Sequence, residues 1–590
     1  MGIFMNQKLE DMLSLALETP EDVREQTGTL NVGFDTASRT WELIVKYNGS
    51  LDELTIQGIK VEYLIAGYAI LTVPEEQVEE VADLPQIEYV EMPKRYFYQA
   101  VTPTAASCLP QVLLKDPYLT GENVMIAILD SGIEYRLPDF RKENGDTRIR
   151  FLWDQTLNRE FTEEEINQAL AAETESAQYA LLPSRDVNGH GTAVAAIAAG
   201  SLVLGRGVPG AEGYSGAAPG ADLVIVKLGR PSPLGFPRTT EIMRGVVYAL
   251  KKAQQLGQPL VINLSFGNTY GSHDGSSLLE RFLDNAAEIG RTVICVGSGN
   301  EGSSGGHLAG NVDTETRIEL AVSGYESTLN IQFWKNYNDV YRIYLRSPGG
   351  QREELSPAIM GGEGRRFRGK YTLRMEQTRI LVYWGEPAPY SVAQEVYLEM
   401  IPEGRPYLNS GVWTMEIEPV EVVTGQYYLY LPSAAVRNEQ TRFYKPTPLV
   451  TLTTPSAAAK VITVGAFDST YDTYADFSGR GYADSERTIG VVMAGLTKPD
   501  IVAPGVGILA PDVYGGYSAF NGTSFATPIV SGSAALLMEW GIVRGNDPFL
   551  YGEKVKAYLR AGAQPLRGEA EYPNDRVGFG KLCVSASLPE

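Results

Sequence analysis

The chain has 590 residues, too many for one hydrophobic core, so several domains are expected. A hydrophobic content of 44% is typical of a soluble globular protein. The 72 acidic and 50 basic side chains give a net charge of −22, which argues against nucleic acid or an anionic membrane as a partner.

The N-terminal stretch MGIFMNQKLEDMLSLALETPEDV lacks a long apolar core preceded by basic residues, so no secretory signal peptide is expected. No apolar run is expected to span a bilayer. Cys108, Cys295 and Cys583 are too few and too scattered for a disulfide framework or a zinc site. We expect free thiols in a reducing compartment, or in one that export does not reach, with Cys295 packed in the core.

Residues 41–96 alternate between strand and helix patterns. WELIVKY and VEYLIAGYAILTV predict strands, EEQVEEVADL predicts an amphipathic helix, and IEYVEM predicts a closing strand. Together they predict a compact α+β unit near the smallest size that folds alone. The following PKRYFYQAVTPTAAS is expected to be an exposed connection.

From residue 122 onward the pattern changes to near-continuous apolar runs. NVMIAILD, DLVIVKL, PLVINLSFG, TVICVGSGN and KVITVGAF are separated in several places by helical stretches. This pattern predicts an α/β fold, a doubly wound and mostly parallel sheet covered on both faces. In such sheets, ligands bind beyond the carboxyl ends of the strands.

Between about residues 310 and 450 the chain reads as eight short alternating strands with little helix. We predict a β-sandwich inserted into the α/β domain; eight strands suit a jelly roll, although a strand count does not establish topology. Its many aromatic side chains allow two interpretations: all of them form the sandwich core, or some of them pack against the neighbouring domain. They are Phe333, Trp334, Tyr341, Tyr344, Tyr383, Trp384, Trp413 and Tyr427.

Polar residues at three separate places have the chemistry of a nucleophilic site. Asp130 closes an apolar strand, whereas His190 and Ser524 each open a helical stretch. In a triad, serine attacks a carbonyl carbon, histidine transfers the proton, and aspartate orients the imidazole. Asn300, after another strand, could donate an amide hydrogen bond to the oxyanion. Each residue alone is more often a cap, a turn or a structural side chain, so the signal lies in their joint occurrence.

The segment NGTSFATPIV, residues 521–530, allows two interpretations. In the structural one, Thr523 or Ser524 caps a helix and Pro528 lies in its first turn, where a missing N–H does no harm. In the functional one, Ser524 is a nucleophile at a helix N-terminus, where free N–H groups stabilise an oxyanion.

The segments ILDSGI, NGHGTAVAAIAAG, NLSFG, GSGNEG, DIVAPGVGI and GTSFATPIVSG closely resemble the signature segments of subtilisin-like serine proteases. The order Asp, His, Ser is also that of subtilisin. The resemblance covers residues 120–310 and 450–545. It implies endopeptidase activity on a protein or peptide substrate, a triad of Asp130, His190 and Ser524, and an oxyanion hole built from Asn300 and Ser524.

The resemblance also assigns the substrate-binding edge strand and a propeptide. Ser265, Phe266 and Gly267 match the strand that pairs with an extended substrate. The region before residue 100 resembles a propeptide that assists folding and then occupies the cleft. Cutting between Gln99 and Ala100 would place Tyr96 in the apolar pocket that the family keeps four residues before the cut. Cutting after Ala100 is the second choice, because it would place Phe97 there.

A narrower resemblance, to the clostridial spore-germination proteases called Csp, depends on architecture more than on any motif. Propeptide, triad and inserted β-domain together imply four regions: residues 1–99, 100–310, 311–450 and 451–590. They also imply a cytoplasmic or spore-associated location and a role in activating a spore cortex hydrolase. No cofactor is required; many subtilases bind calcium, but no Asp/Asn loop here has suitable ligand spacing, so no metal ligands are assigned.

Two other functions compete with an active endopeptidase. One is a catalytically silent pseudoprotease or signalling scaffold held by its propeptide, since some Csp-type relatives lack triad residues. The intact set of Asp130, His190, Ser524 and Asn300 argues against it. The other is an esterase that uses the same triad; the edge-strand motif and the propeptide argue against that.

Overall fold

The computed structural model describes residues 6–24, 27, 29–52, 54, 59–94, 106–204, 214–229, 237–312, 314–356, 369–482 and 497–589, and the backbone of 97–98.

An α+β unit forms the N-terminal part of the chain, as the alternating pattern predicts. Its elements are α1 (Asp11–Glu18), α2 (Glu21–Arg24), β1 (Phe34–Asp35), β2 (Thr40–Tyr47), β3 (Lys60–Tyr63), β4 (Tyr68–Pro74), α3 (Val78–Asp83) and β5 (Ile87–Glu91). The antiparallel order β5-β2-β4-β3 is ferredoxin-like, and β1 adds to β2. Two helices, α1 and α2, therefore precede the core that the sequence identified.

The next region alternates strands and helices. It contains β6 (Phe97–Tyr98), α4 (Pro110–Leu113), β7 (Met125–Asp130), β8 (Ile149–Asp154), β9 (Arg159–Thr162), α5 (Glu163–Leu170), α6 (Glu175–Leu181), α7 (His190–Ala199), β10 (Asp222–Lys227), α8 (Thr239–Leu256), β11 (Leu260–Leu264), β12 (Phe266–Gly267), α9 (Leu278–Ala287) and β13 (Thr292–Gly297). Short 3₁₀ turns lie at Glu75–Gln77 and Pro138–Phe140.

The segment between β13 and the last part of the chain is almost entirely strand. It contains β14 (His307–Asn311), β15 (Thr316–Val322), β16 (Leu329–Asn336), β17 (Val340–Arg346), β18 (Arg352–Glu354), β19 (Gly369–Met375), β20 (Thr378–Trp384), β21 (Ala393–Pro402), β22 (Gly411–Glu421), β23 (Gln426–Tyr430) and β24 (Arg442–Phe443). The described part thus has eleven strands where the sequence predicted eight. The three that were missed, β14, β18 and β24, show too little apolar alternation to be recognised.

These strands form two antiparallel sheets, β14-β23-β16-β21-β20-β19 and β18-β17-β22-β15-β24. The aromatic side chains are divided between the two predicted environments. Five lie in the core that the two sheets share: Phe333, Tyr341, Trp384, Trp413 and Tyr427. Tyr383, in contrast, packs into the core of the N-terminal α+β unit.

The remaining elements return to the α/β pattern. They are β25 (Ile462–Asp468), β26 (Thr473–Tyr474), β27 (Ile501–Val506), β28 (Ile508–Pro511), β29 (Tyr517–Phe520), α10 (Thr523–Met538), α11 (Gly552–Ala561) and α12 (Val584–Ser587). A π-helical turn, Glu539–Val543, continues α10.

The main sheet has the order β26-β25-β13-β11-β7-β10-β8-β9, with β27 added to β25. Its central pairs are parallel, and only β9 and β26 run antiparallel to their neighbours. Alternate residues of β7 enter different cores: Ile126 and Ile128 face α7 and α10, whereas Ala127 and Leu129 face α8 and α9. The prediction of a mostly parallel sheet covered on both faces is confirmed.

Helix α10 lies in the core beneath the sheet. In the described ranges, one helix, Thr523–Val543, is long and apolar enough to cross a bilayer by length and composition, with a mean hydropathy of 1.3. The expectation that no apolar run reaches that length was therefore wrong. Because 83% of the apolar window is buried inside the protein, its apolar composition is that of a core helix.

The expectation of three free cysteines was also wrong. Cys108 and Cys583 form a disulfide whose Cα atoms lie 4.9 Å apart, although 475 residues separate them in sequence. Folding brings the two segments together, since Val584 N donates to Ser107 O at 3.1 Å. Cys295 is the buried free cysteine, and burial raises the pKa of its thiol to about 12.

Candidate active site

Asp130 and His190 meet at the carboxyl end of the main sheet. Asp130 is the last residue of β7, and His190 is the first residue of α7. The Nδ1–H of His190 donates to Asp130 Oδ1 at 2.7 Å, and both side chains are buried. The backbone N–H of Ser131 donates to the same carboxylate oxygen at 2.7 Å. The imidazole is therefore held in one orientation by a carboxylate from a neighbouring element.

Two glycines allow His190 to occupy this position. Gly189, the N-cap of α7, has φ +83°, a left-handed conformation that glycine adopts without strain. A Cβ atom on Gly191 would lie 2.3 Å from Gly132 O. The backbone is thus crowded around the histidine at Gly191, whereas Gly189 serves the turn.

Ser524 is the second residue of α10, in the N-terminal turn where backbone N–H groups lack intrahelical acceptors. Its Oγ donates to Ser265 O at 2.9 Å. The ring of the next residue, Phe525, lies 5.2 Å from the His190 ring, between centroids. The nucleophile candidate, the histidine and the strand residue Ser265 therefore lie close to one another.

Pro528 has a different position from the one expected. It is the sixth residue of α10, beyond the first turn. In a regular helix the N–H of residue 528 would donate to Ser524 O, and proline has no N–H. Ser265 Oγ donates to that carbonyl at 2.8 Å instead. The proline thus leaves Ser524 O available as an acceptor, so two hydrogen bonds join Ser524 to Ser265.

Asn300 follows β13 and is joined to the start of α10. Its Oδ1 accepts from Thr523 N at 3.0 Å and from Thr523 Oγ1 at 3.2 Å. A Cβ atom on Gly522 would lie 3.0 Å from Asn300 Nδ2. The amide oxygen is therefore anchored by Thr523, and Nδ2 lies over Gly522, beside the Ser524 turn.

The edge segment 265–267 carries another stretch of the same chain. β12 pairs antiparallel with β6, with Phe266 opposite Tyr98 and Gly267 opposite Phe97. Gly267 has no room for a side chain, because a Cβ atom there would lie 2.2 Å from Thr453 Oγ1. The backbone after the N-terminal unit thus runs along the predicted substrate strand. Gln99 and Ala100, the predicted processing residues, lie outside the described residues.

Sequence reasoning missed several polar residues beneath the site. Asp186 lies four residues before His190, and a carboxylate just before a helix is a readable capping signal. Asn263 and Ser531 support Ser265: Asn263 Nδ2 donates to Ser265 Oγ, and Ser531 Oγ donates to Asn263 Oδ1, both at 2.8 Å. The latter two give no sequence signal, because their partner lies on another element.

A metal centre was not predicted at this cleft. Within the residues that the structure describes, no group of three or more His, Cys, Asp or Glu side chains is arranged to hold a metal ion.

Comparison with known proteins places this geometry in a family. The subtilase family model matches residues 121–377 and 424–580, and a model described as the Csp protease B prodomain matches residues 7–94. The chain belongs to the subtilase family and is a subtilisin-like serine protease with a prodomain.

Similarity to a solved structure is also extensive. The CspB protease of Clostridium perfringens is 33% identical, covers 82% of this chain and 95% of its own, and has a TM-score of 0.73.

Curated relatives are more distant. The minor extracellular protease Vpr of Bacillus subtilis (strain 168) is 24% identical over 512 residues, 83% of this chain. Subtilisin E of the same strain is 28% identical over 311 residues, 52% of this chain. The chain spans 54% of the length of Vpr and 66% of that of subtilisin E.

Proposed function

We propose that this protein is a serine endopeptidase in which Ser524 is the nucleophile, His190 the general base and acid, and Asp130 the residue that orients the imidazole. The observation that carries the proposal is the 2.7 Å hydrogen bond between two buried side chains that lie 60 residues apart. Membership of the subtilase family supports the same assignment. In this mechanism His190 takes the hydroxyl proton as Ser524 attacks, and later gives it to the leaving amine.

Asn300 and the backbone N–H of Ser524 are proposed to form the oxyanion hole. The contacts from Thr523 to Asn300 Oδ1 support this, because they leave Nδ2 as the donor beside the helix N-terminus. There the developing negative charge also meets the positive end of the α10 dipole. Both donors are part of the folded protein, so no reorganisation is needed during the reaction.

The substrate is proposed to be a protein that binds as an extended strand along Ser265, Phe266 and Gly267. The prodomain's own tail is proposed to use that strand first and to be cut after Gln99. The β6–β12 register supports this position: Tyr98 pairs with Phe266, and the preceding residue of the edge segment, Ser265, has the carbonyl oxygen that accepts from Ser524 Oγ. A cut one residue after Tyr98 is the position that this register favours. N-terminal sequencing of the processed protein should begin at Ala100. A start at Val101 would favour the second position, and a start outside 97–103 would reject the placement.

We propose that the chain has four regions: the prodomain (1–99), the two parts of the catalytic domain (100–310 and 451–590) and the inserted β-domain (311–450). We propose that the inserted region is a jelly roll. Nested pairing supports this: β14 pairs with β23, β15 with β22 and β16 with β21, as in a long hairpin rolled into two sheets.

The physiological role is proposed to be the activation of a spore cortex hydrolase during germination, in the cytoplasm or the spore. The similarity to a CspB protease over most of both chains supports this. N-terminal proteomics on germinating cells of the host, with and without Ser524→Ala, should yield a Ser524-dependent cut in a cortex hydrolase. A set of Ser524-dependent cuts without such a hydrolase would contradict this role.

Peptide hydrolysis tests the enzymatic proposal. Ser524→Ala should abolish hydrolysis while the fold survives, because the change is small. Asn300→Ala should lower turnover about 100- to 1,000-fold with little change in KM, because its bond to the oxyanion forms mainly in the transition state. Full hydrolysis by Ser524→Ala, or a raised KM with unchanged turnover in Asn300→Ala, would contradict the assignment.

A further inference from the structure

Asp186 is a buried carboxylate beside the proposed triad that the mechanism above does not use. It lies between α6 and α7, and only 4% of the residue is exposed. Oδ1 accepts from Ser131 Oγ at 2.8 Å, from Gly189 N at 2.8 Å and from Asn188 N at 3.2 Å. Oδ2 accepts from Thr192 N at 2.9 Å and from Thr192 Oγ1 at 2.7 Å. Both oxygens are thus fully used.

These bonds reach both sides of His190. Gly189 precedes the histidine and Thr192 follows it, so one carboxylate holds the backbone of the first turn of α7 at two points. The N-cap, Gly189, has no side chain to do so. A negative charge near this helix end is also favoured by the helix dipole.

Ser131 extends the network to the other partner of the histidine. Its Oγ donates to Asp186 and accepts from Gly191 N at 2.8 Å. Its backbone N–H donates to Asp130 Oδ1, the oxygen that also accepts from His190. The strand end that carries Asp130 and the helix start that carries His190 are therefore joined through Asp186 and Ser131.

We propose that Asp186 is a positioning residue for the peptidase reaction, which fixes the Asp130–His190 pair in its reactive orientation through Ser131 and the first turn of α7. This inference rests on the proposed function, since it concerns the same triad. The hydrogen bonds of Asp186 go to Ser131, Asn188, Gly189 and Thr192, not to the side chains of Asp130 or His190. Asp186 therefore acts through the residues that flank this pair. A misplacement of about 1 Å at a reactive group can cost about 100-fold in rate.

The test is Asp186→Asn in the full chain. An amide has one acceptor oxygen, so this variant must lose either the N–H bonds from Asn188 and Gly189 or the N–H bond from Thr192. The matched control is Asp339→Asn, in the inserted sheets. Asp339 is also buried and accepts five hydrogen bonds: from Val423 N, Thr424 N, Thr424 Oγ1, Gly425 N and Tyr341 OH.

For Asp186→Asn we expect turnover of a peptide substrate to fall about 10- to 100-fold with KM within about twofold, because binding along β12 is untouched. Asp339→Asn should keep the wild-type turnover even if it lowers the melting temperature by the same amount. Ser131→Ala is a smaller change and should also lower turnover. If Asp186→Asn does not fold, Ser131→Ala is the variant that tests the proposal. Wild-type turnover in Asp186→Asn, or equal losses in both aspartate variants, would overturn the proposal.

A second readout does not need turnover. The low-field proton resonance of the His190 Nδ1–H that bonds Asp130, assigned by its loss in His190→Ala, should shift or broaden in Asp186→Asn and stay unchanged in Asp339→Asn. An unchanged resonance in Asp186→Asn would overturn the positioning role. If the wild-type protein hydrolyses no peptide, the proposed function fails, and this resonance still decides whether Asp186 positions the pair.

Discussion

The prodomain contacts the rest of the protein at two interfaces, here called seams, in which its acidic side chains face groups of opposite and of like charge. Against helix α8, its acids face arginines: Glu42 bonds Arg238 at 3.0 Å and Arg244 at 2.9 Å, and Glu62 bonds Arg244 at 2.8 Å. Burial alone would raise the pKa of Glu42, but the two arginines outweigh it and hold it at about 2. This seam, the arginine seam, therefore stays charged and paired at every physiological pH.

Against the inserted sheets, acids of the prodomain face another acid. Glu10 and Asp11 at the start of α1 lie near Glu395 of β21, around a cavity that these residues share. Burial, with the neighbouring carboxyls, raises the pKa of Glu395 to about 8 and that of Asp11 well above its ordinary value. Burial likewise raises the pKa of Glu10 to about 7, although Lys94 opposes it. We call this the carboxyl seam.

Other titratable groups also face the carboxyl seam from the elements packed around it: Tyr89, Glu91 and Lys94 from the prodomain, and Tyr383 and Glu386 from the inserted sheets. Lys94, which bonds both Glu10 and Glu91, is the cation among them. Two seams of one acidic domain thus differ in what neutralises them: arginines in one, protons and one lysine in the other. We therefore expect the arginine seam to determine how tightly the prodomain binds, and the carboxyl seam to make that binding depend on pH.

The largest effect is expected from reversing a charge in the arginine seam. Glu42→Arg places three guanidinium groups together, and losing a buried charge partner costs about 3–5 kcal/mol. We expect the processed prodomain to bind at least about 100-fold more weakly, measured by its retention during gel filtration of the cut protein. Glu79→Arg is the control, because Glu79 is exposed on α3. Equal retention of the Glu42 and Glu79 variants would show that the arginine seam does not hold the prodomain.

The next effect is the pH response of the carboxyl seam. Carboxyls whose pKa is raised in the complex bind protons that the separated parts release. Their contribution is therefore fully present below about pH 4.5 and is lost as pH rises through about 7 to 8. We expect prodomain dissociation to become at least about tenfold easier between pH 6 and pH 8.5.

Glu395→Gln should flatten that pH response, because a neutral amide replaces a carboxyl whose pKa is raised to about 8. Glu439→Gln, on an exposed loop of the inserted region, is the matched control and should leave the response unchanged. Titration of dissociation against pH, at constant ionic strength, measures both variants. A prodomain affinity of the wild-type protein that rises with pH would contradict stabilisation of the carboxyl seam by bound protons.

The smallest effect concerns the inserted sheets themselves, which both the catalytic domain and the prodomain hold in place. Tyr430 stacks between His273 and His307, with ring centroids 3.8 Å and 4.2 Å away. Burial lowers the pKa of both histidines, so this stack is neutral near pH 7. Limited proteolysis of the native protein should therefore not release residues 311–450 as a fragment. Ready release of that fragment would show that the inserted region is not docked.

The sequence predicted the parallel sheet and the meeting of Asp130 with His190, because strand ends in such sheets share one edge. It could not predict the Cys108–Cys583 bond, since spacing carries no information over 475 residues. The role of Pro528 was missed for a related reason: the donor that replaces its N–H, Ser265 Oγ, comes from another element. The carboxyl seam was missed because Glu10 and Asp11 look like ordinary helix-start residues until Glu395 is placed against them.

The most direct test of the proposed peptidase is the intact mass of the purified chain, with Ser524→Ala and His190→Ala prepared from the same host. We expect the wild-type protein to appear as two fragments cut between Gln99 and Ala100, and both variants to appear as one uncut chain. The same cut in Ser524→Ala would assign it to a host protease. An uncut wild-type chain would contradict self-processing and favour a silent, prodomain-held pseudoprotease.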